Sequence, residues 1–369
     1  MEEVKILIIG AGCVGLAIGK ELSKVYEDVV IVEKEASYGR HTSSRNSEVI
    51  HSGIYYPQSS LKAELCIEGR KLLYDYLAEN NIAHRNCGKL VVAVKESEIA
   101  ALKELQANGV RNGVSDLEIL SGAECKELAP EVKSIMGMLV PCTGIMDTHG
   151  FMRAMKIEFG ANDGFLLFDN EVCEIKRVEE KYLVTFTNGE QFLAEILINA
   201  AGLECEKIAS LAGIDTEAAG LKLHWCKAEY FKTSQRFQLD KLIYPMPDPT
   251  GMYLGIHLTL NLAGEVRFGP SAYYVDELDY AMDESHKQEF IDSVTQYLDI
   301  DIEKLHPDDT GIRPKLQAAG EGFRDFYIKE ESAKGLPGFI NLMGIESPGL
   351  TSCLAIARYA AEIIASLKH

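Results

Sequence analysis

A chain of 369 residues that is 47% hydrophobic can bury one large core or two smaller ones, and two interleaved domains are the expected arrangement. Its 37 basic and 56 acidic residues give a net charge of −19, which argues against a nucleic-acid partner or an anionic membrane surface, so any anionic substrate has to meet a concentrated local patch of positive charge. The nine scattered cysteines show no C-x-x-C and no His/Cys cluster of metal spacing, so they read as packed, reduced thiols and no metal site is expected. The longest mostly apolar stretch, residues 6–19, is too short for a transmembrane segment, and Met1-Glu2-Glu3 leaves no room for a secretory signal ahead of the first strand. The expected location is cytoplasmic, at most peripheral to the inner membrane.

The first element is a strand, glycine turn and helix start, VKILIIGAGCVG from Val4 to Gly15, followed by a second apolar strand, Val29 to Val32, that ends on Glu33. This is the pattern of a dinucleotide fold. Gly10 permits the tight turn, Gly12 lets backbone approach a pyrophosphate, and Gly15 allows the helix to lie close to the strand, with phosphate at the helix N-terminus. Glu33 stands eighteen residues beyond Gly15, near the expected spacing of roughly twenty, where a carboxylate accepts hydrogen bonds from an adenosine ribose.

Residues 34–60 have few periodic apolar positions but are dense in Ser, Arg, His and Tyr, which beside a phosphate loop suggests ligand contact. Within them, Asn46 to Tyr56 alternates amide, hydroxyl and imidazole groups with apolar ones. His51 is open to two readings, a group facing a ligand or a hydrogen-bonded structural histidine. Helical spacing predicts a helix over 61–80, then a strand over 89–94, a helix over 99–107, a turn-rich segment over 108–134 and a helix from about 148 to 159. Strands follow near 165–168, 171–177, 182–187 and 191–198, with Asn188-Gly189 as a hairpin turn, and the last runs directly into Ala200-Ala201-Gly202. Residues 222–273 are β-rich and include His257, which reads as a roof residue or an ordinary core histidine, and a helix spans about 283–298.

Two further features carry chemistry. Arg313 lies between Gly311-Ile312 and Pro314-Lys315, which suggests a rigid turn presenting a guanidinium; such a group suits a bidentate clamp on a carboxylate, and a surface salt bridge is the alternative. The chain ends as it began, with a strand from Phe339, a glycine turn through Ser347-Pro348-Gly349-Leu350-Thr351, and a helix to Leu367. A second helix N-terminus offers N–H groups to negative charge. If the dinucleotide is FAD, the natural recipient is the N1–C2=O edge of the isoalloxazine.

The ordered runs NSEVIHSGIYYP, LKAELCIEG, CGKLVVAV, YPMPD, LGIH, FGPSAY, GIRPK and SPGLTSCLAIA resemble the L-2-hydroxyglutarate dehydrogenase/oxidase family, in the D-amino-acid-oxidase-like group of FAD-dependent oxidoreductases. The resemblance covers almost the whole chain and implies an extended FAD with a substrate domain folded over the flavin. Carried over residue by residue, it matches Gly10, Gly12, Gly15 and Glu33 to the adenine half and Ser44, Asn46 and Ser47 to the loop beside the flavin. Ala201 and Gly202 match the inner motif, and Gly349, Leu350 and Thr351 the flavin end. It also puts His51, Lys89, His257 and Arg313 near the flavin face. Ala228 replaces a glycine of the family's longer members, and Pro314-Lys315 is not their continuation after the arginine; both departures bear on the identity of the hydroxy acid.

The fold class expected is therefore α/β, an FAD-binding Rossmann-type domain (residues 1–85, 145–215 and 315–369) with an inserted antiparallel-sheet substrate domain (86–144 and 216–314). The implied reaction oxidises an L-2-hydroxy acid to the 2-oxo acid, hydride passing to flavin N5 while His257, in preference to His51, takes the hydroxyl proton and Arg313 holds the carboxylate. Lys89 adds positive charge or merely snorkels. The alternatives are an amine or amino-acid oxidase and, from another class, an NAD-binding or nucleotide-sensing module. The motifs leave the electron acceptor open among oxygen, a quinone or another carrier.

Overall fold

The computed structural model describes residues 2–247 and 255–367, so Asp248 and Leu254, which end and begin two of the resemblance motifs, lie outside the described residues. The chain builds two large sheets and a small one. In the first, five parallel strands run in the order Phe165–Leu167, Val29–Val32, Glu2–Ile9, Gln191–Asn199 and Leu336–Met343. Tyr327–Glu331 adds an antiparallel edge, and the hairpin Val172–Val178/Lys181–Phe186 extends the N-terminal half of Gln191–Asn199. The central strands are apolar almost throughout because both faces are covered, as parallel sheets require.

Alternation along the strands sorts the two cores. Ile6, Ile8, Ile31, Ile198 and Ile340 face the layer formed by the helices Cys13–Leu22, Leu61–Glu79, Thr148–Ala161 and Gly349–Ser366. Their neighbours Leu7, Ile9, Val30, Val32 and Leu197 face the opposite cluster, with Tyr182, Phe186 and Ile208. Gly349–Ser366 is nearly all apolar and its Ala-rich turns let it lie between Cys13–Leu22 and Leu61–Glu79; at the second crossing, a Cβ on Gly69 would stand 2.5 Å from the Thr351 carbonyl oxygen.

The second sheet has nine strands and all but one of its pairings are antiparallel. Lys89–Ala93, Glu118–Ser121 and Met136–Val140 supply one end; His224–Thr233, Leu242–Pro245, His257–Leu260, Val266–Gly269, Tyr273–Val275 and Leu305–Lys315 supply the rest. The exception is the parallel pair Leu242–Pro245 with Lys89–Ala93, which stitches the two sequence segments into one sheet. The small sheet, Val49–Ile50, His84–Arg85 and Gly144–Met146, lies where the chain passes between the large ones. No helix among the described residues is long and apolar enough to cross a membrane.

Several local expectations need correction. Residues 108–134 are not simply turns: the preceding helix runs on to Arg111, and Glu118–Ser121 leads into a helix, Gly122–Leu128. That helix starts on a capping box in which Ser121 and Glu124 satisfy each other's backbone N–H groups, an S-x-x-E signal present in the sequence. The helix expected over 283–298 is confined to Lys287–Val294 behind a 3₁₀ turn. Arg313 is not on a turn but near the end of the strand Leu305–Lys315, which pairs along His224–Thr233. This strand tolerates Pro307 and Pro314 because it is an edge, bonded on one side only.

Candidate active site

A cleft of about 530 Å³ runs from the first glycine turn to the face of the second sheet, within the range typical of small-molecule sites. Its first end is a backbone cradle. Gly10 has φ +107°, and a Cβ there would stand 2.5 Å from the Ala200 carbonyl oxygen; a Cβ on Gly15 would come within 1.9 Å of the Gly10 carbonyl oxygen. Gly12 presents open backbone to the cleft, with the Ser43 hydroxyl 3.0 Å from where its Cβ would be. The helix Cys13–Leu22 has no side-chain cap from Gly12; the Cys13 N–H donates to Ser43 Oγ at 3.0 Å. Glu33 lines the same end, its carboxylate accepting from the N–H groups of Ala11 (2.8 Å) and Glu35 (3.0 Å). A carboxylate has about four lone-pair positions, so acceptor capacity is left for ligand hydroxyls.

Ala201 and Gly202 form the cleft wall after the strand Gln191–Asn199. The buried Asn199 holds that bend, accepting from the Ala201 N–H (3.3 Å) and donating to Asn341 Oδ1 and the Cys205 carbonyl, both at 2.8 Å. Asn46 organises the polar loop: its amide donates to the Ser43 carbonyl (2.8 Å) and its oxygen accepts from the Glu48 N–H (2.8 Å). Asn46 and Ser47 line the cleft. Ser44 does not; its hydroxyl turns back to the His41 carbonyl at 3.3 Å, and Ser43 stands on the cleft in its stead. The 3₁₀ turn His41–Ser43 decides which hydroxyl faces in, a rotation that spacing in the sequence does not reveal.

The opposite end is built on the second helix N-terminus. Gly349 and Leu350 line the cleft, and Pro348 gives the helix no side-chain cap. Thr351 is fully buried and off the cleft: it accepts from the His51 N–H (3.0 Å) and donates to the Val49 carbonyl (3.4 Å), tying the loop to the helix. That tie sets His51, whose Nε2 lies 3.3 Å from Ser347 Oγ. Burial, with the nearby Lys89, pushes the His51 imidazole down to about 3. It is neutral at working pH.

The roof comes from the second sheet. His257 is buried and stacked on Tyr244 at 3.7 Å between centroids and 15° between planes. Burial first, then Lys89 and His51, hold it well below its usual value. Arg313 lines the cleft and donates from Nη2 to the Ser271 carbonyl, and its buried Nε finds no acceptor among the described residues. A guanidinium on the cleft wall offers the planar fork that a carboxylate takes. Lys89 lies behind the cleft wall rather than on it, 1% exposed, its ammonium 4.5 Å from the Tyr55 ring and 4.6 Å from the Tyr244 ring. His51, His257 and Arg313 thus share one cleft end, and Lys89 stands one layer back.

Several lining residues had no signal of their own in the sequence: Tyr55, Lys62, Lys315, Glu346 and Ser347. The nearest hint was position, Lys315 two residues beyond Arg313 and Ser347 in the second glycine turn. What the cleft offers chemically is a backbone anion cradle and a ribose acceptor at one end, and a second uncapped helix N-terminus under a cationic, imidazole-bearing roof at the other. Two helix starts on one cleft, neither capped by its own N-cap side chain, fit an extended dinucleotide whose pyrophosphate and reactive ring both seek N–H groups.

The comparisons with known proteins agree with that geometry. A mitochondrial L-2-hydroxyglutarate dehydrogenase of Arabidopsis thaliana is 36% identical over 405 residues, covering 98% of this chain and 83% of the relative. An L-2-hydroxyglutarate dehydrogenase of Salmonella houtenae is 33% identical over 270 residues, covering 72% of this chain and 63% of the relative. Among solved structures, the dithionite-reduced L-α-glycerophosphate oxidase of Mycoplasma pneumoniae with FAD bound superposes with a TM-score of 0.90 at 27% identity, over 100% of this chain and 96% of that one. The DAO family, FAD dependent oxidoreductase, matches residues 5–363. The chain belongs to that family, and the dinucleotide its fold carries is FAD.

Proposed function

We propose that this enzyme oxidises an L-2-hydroxy acid, L-2-hydroxyglutarate first among them, to the corresponding 2-oxo acid. The observation that carries the reading is the cleft end where Arg313 stands with two neutral imidazoles near the N-terminus of Gly349–Ser366. The names of the relatives support the same substrate. When bound, FAD supplies the two-electron acceptor. Arg313 holds the substrate carboxylate and so points the Cα–H inward. His257 accepts the hydroxyl proton: it lines the cleft, and its burial keeps the ring unprotonated before the reaction. His51, against Ser347, lines the opposite wall and orients the hydroxyl. Lys89 adds positive charge from behind the roof. Gly10, Gly12 and Gly15 shape the pyrophosphate cradle, Glu33 takes the ribose, and Ala201, Gly202, Gly349 and Leu350 flank the flavin, with Thr351 and Asn46 as positioning residues.

On this reading residues 1–85, 145–215 and 315–369 form the cofactor domain and 86–144 with 216–314 the substrate domain, a division supported by the way the two large sheets draw their strands. The test is anaerobic bleaching of the holoenzyme by a panel of 2-hydroxy and 2-amino acids. L-2-hydroxyglutarate should bleach the flavin, and His257→Asn or His51→Asn should slow bleaching while FAD content and melting stay near wild type. Bleaching by amino acids alone would overturn the proposal, and wild-type rates in both variants would return the histidines to structural roles.

A further inference from the structure

Beside Arg313, the cleft wall carries a buried charge cluster that the proposed reaction does not use. Lys62 opens the helix Leu61–Glu79, Lys315 ends the strand Leu305–Lys315, and Glu346 lies in the turn before Gly349. Lys62 Nζ donates to Glu346 Oε1 at 2.9 Å and Lys315 Nζ to Glu346 Oε2 at 3.2 Å. All three side chains are at most 8% exposed, yet all three line the cleft. Lys62 is further fixed: its backbone N–H donates to Asp325 at 2.9 Å, and its ammonium stands 5.4 Å from both the Phe323 and Phe326 rings.

The cluster is unbalanced. Each ammonium has three donors, and Glu346 is the one acceptor either of them finds among the described residues. Burial by itself would raise the Glu346 carboxyl, but Lys62 and Lys315, with Arg313 beyond them, hold it below its usual range, so it is a full anion. Counting the half-buried Arg313, three cations face the Glu346 carboxylate. Buried charge in excess is expensive unless an opposite charge meets it. A single anionic group on Arg313 leaves one positive charge over in this cluster, whereas a dianion neutralises it.

The geometry also fits a particular dianion. Arg313 and Lys315 are two apart on one strand, so their side chains leave the same face about 7 Å apart along it. The carboxylate carbons of an extended five-carbon diacid are about 5 Å apart, short enough to lie between two long cationic side chains that leave the strand at that spacing. We infer that Lys62 and Lys315, held apart by Glu346, form a subsite for the second carboxylate of a hydroxy diacid whose first carboxylate lies on Arg313. This rests on the 2-hydroxy-acid reading and adds to it the residues that read the substrate's far end, Lys62 and Lys315.

The test uses inert ligands, so that it does not depend on turnover. Glutarate and pentanoate, five-carbon acids with two and one carboxylates, are titrated into holoenzyme and followed through the visible flavin spectrum. Wild type should bind glutarate the more tightly. Lys62→Gln and Lys315→Gln should each lower the glutarate-to-pentanoate affinity ratio about tenfold, the size of one charge-assisted contact. Glu346→Gln should hold or raise that ratio because it removes the competing anion, whereas a purely structural cluster would lose ligand binding in all three variants. An unchanged ratio in both lysine variants, or a lowered one in Glu346→Gln, would overturn the subsite. If glutarate binds as described but L-2-hydroxyglutarate does not bleach the flavin, the reaction is wrong and the diacid subsite stands.

Discussion

Lys89 provides a sharp electrostatic test of the site's construction. Its ammonium has no acceptor among the described residues and sits between two tyrosine rings at 1% exposure, and burial pulls it from 10.5 to about 7, against the opposing pull of the Cys142 and Cys66 thiols. Because the folded value lies below the unfolded one, the unfolded chain binds the extra proton between those limits. The penalty for burying the charge is therefore complete below about pH 7, shrinks as pH rises, and is gone above about 10.5. A shift of that size corresponds to roughly 5 kcal/mol over the window, or about 1.4 kcal/mol per pH unit. Lys89→Met keeps the apolar stem, places a sulfur between the rings and removes the titration. Urea denaturation of both holoproteins in excess FAD should show the variant ahead near pH 7, with its advantage falling by about 3 kcal/mol between roughly pH 7.5 and 9.5. Stability curves that run parallel across that range would refute the reasoning, since they would mean that Lys89 keeps its proton, or reaches water, in the folded protein.

Three further outcomes are expected. Gly12→Asp places a side chain against Ser43 and a negative charge where backbone meets pyrophosphate, so the purified variant should lack the flavin absorbance; a folded variant with full FAD content would remove Gly12 from the cradle. Gly15→Ala puts a methyl group within 1.9 Å of the Gly10 carbonyl oxygen, a contact that only backbone movement relieves, and should lose roughly 3 kcal/mol or more in denaturant unfolding as well as weakening FAD retention. Arg313→Lys should keep FAD but lose the fork that holds a carboxylate, about 1.5–3 kcal/mol, raising the half-saturating substrate concentration for anaerobic bleaching by one to two decades; an unchanged value would exclude Arg313 from the carboxylate site.

The glycine turns, the apolar strands that flank them and the acid closing the second strand are local patterns, set by what backbone can do within a dozen residues, and they made the cofactor fold readable in residues 4–33 and again from 339 onward. The same locality made the hairpin before Gln191–Asn199 and the helix Leu61–Glu79 legible. Where local signals compete, the reading slipped: Gly311 and Pro314 around Arg313 suggested a turn because nothing near them in the chain announces that His224–Thr233 will pair along one side and leave the other edge free. The choice of Ser43 over Ser44 and the retreat of Thr351 and Lys89 from the cleft turn on side-chain direction, which packing sets. Convergence was the tertiary structure's alone. Lys62, Lys315 and Glu346 come from a helix, a strand and a turn far apart in sequence, and Lys89 meets Tyr244 only because two distant segments pair in parallel. A charge's environment is decided by whatever the fold brings within a few ångströms of it, and no spacing along the chain encodes that distance.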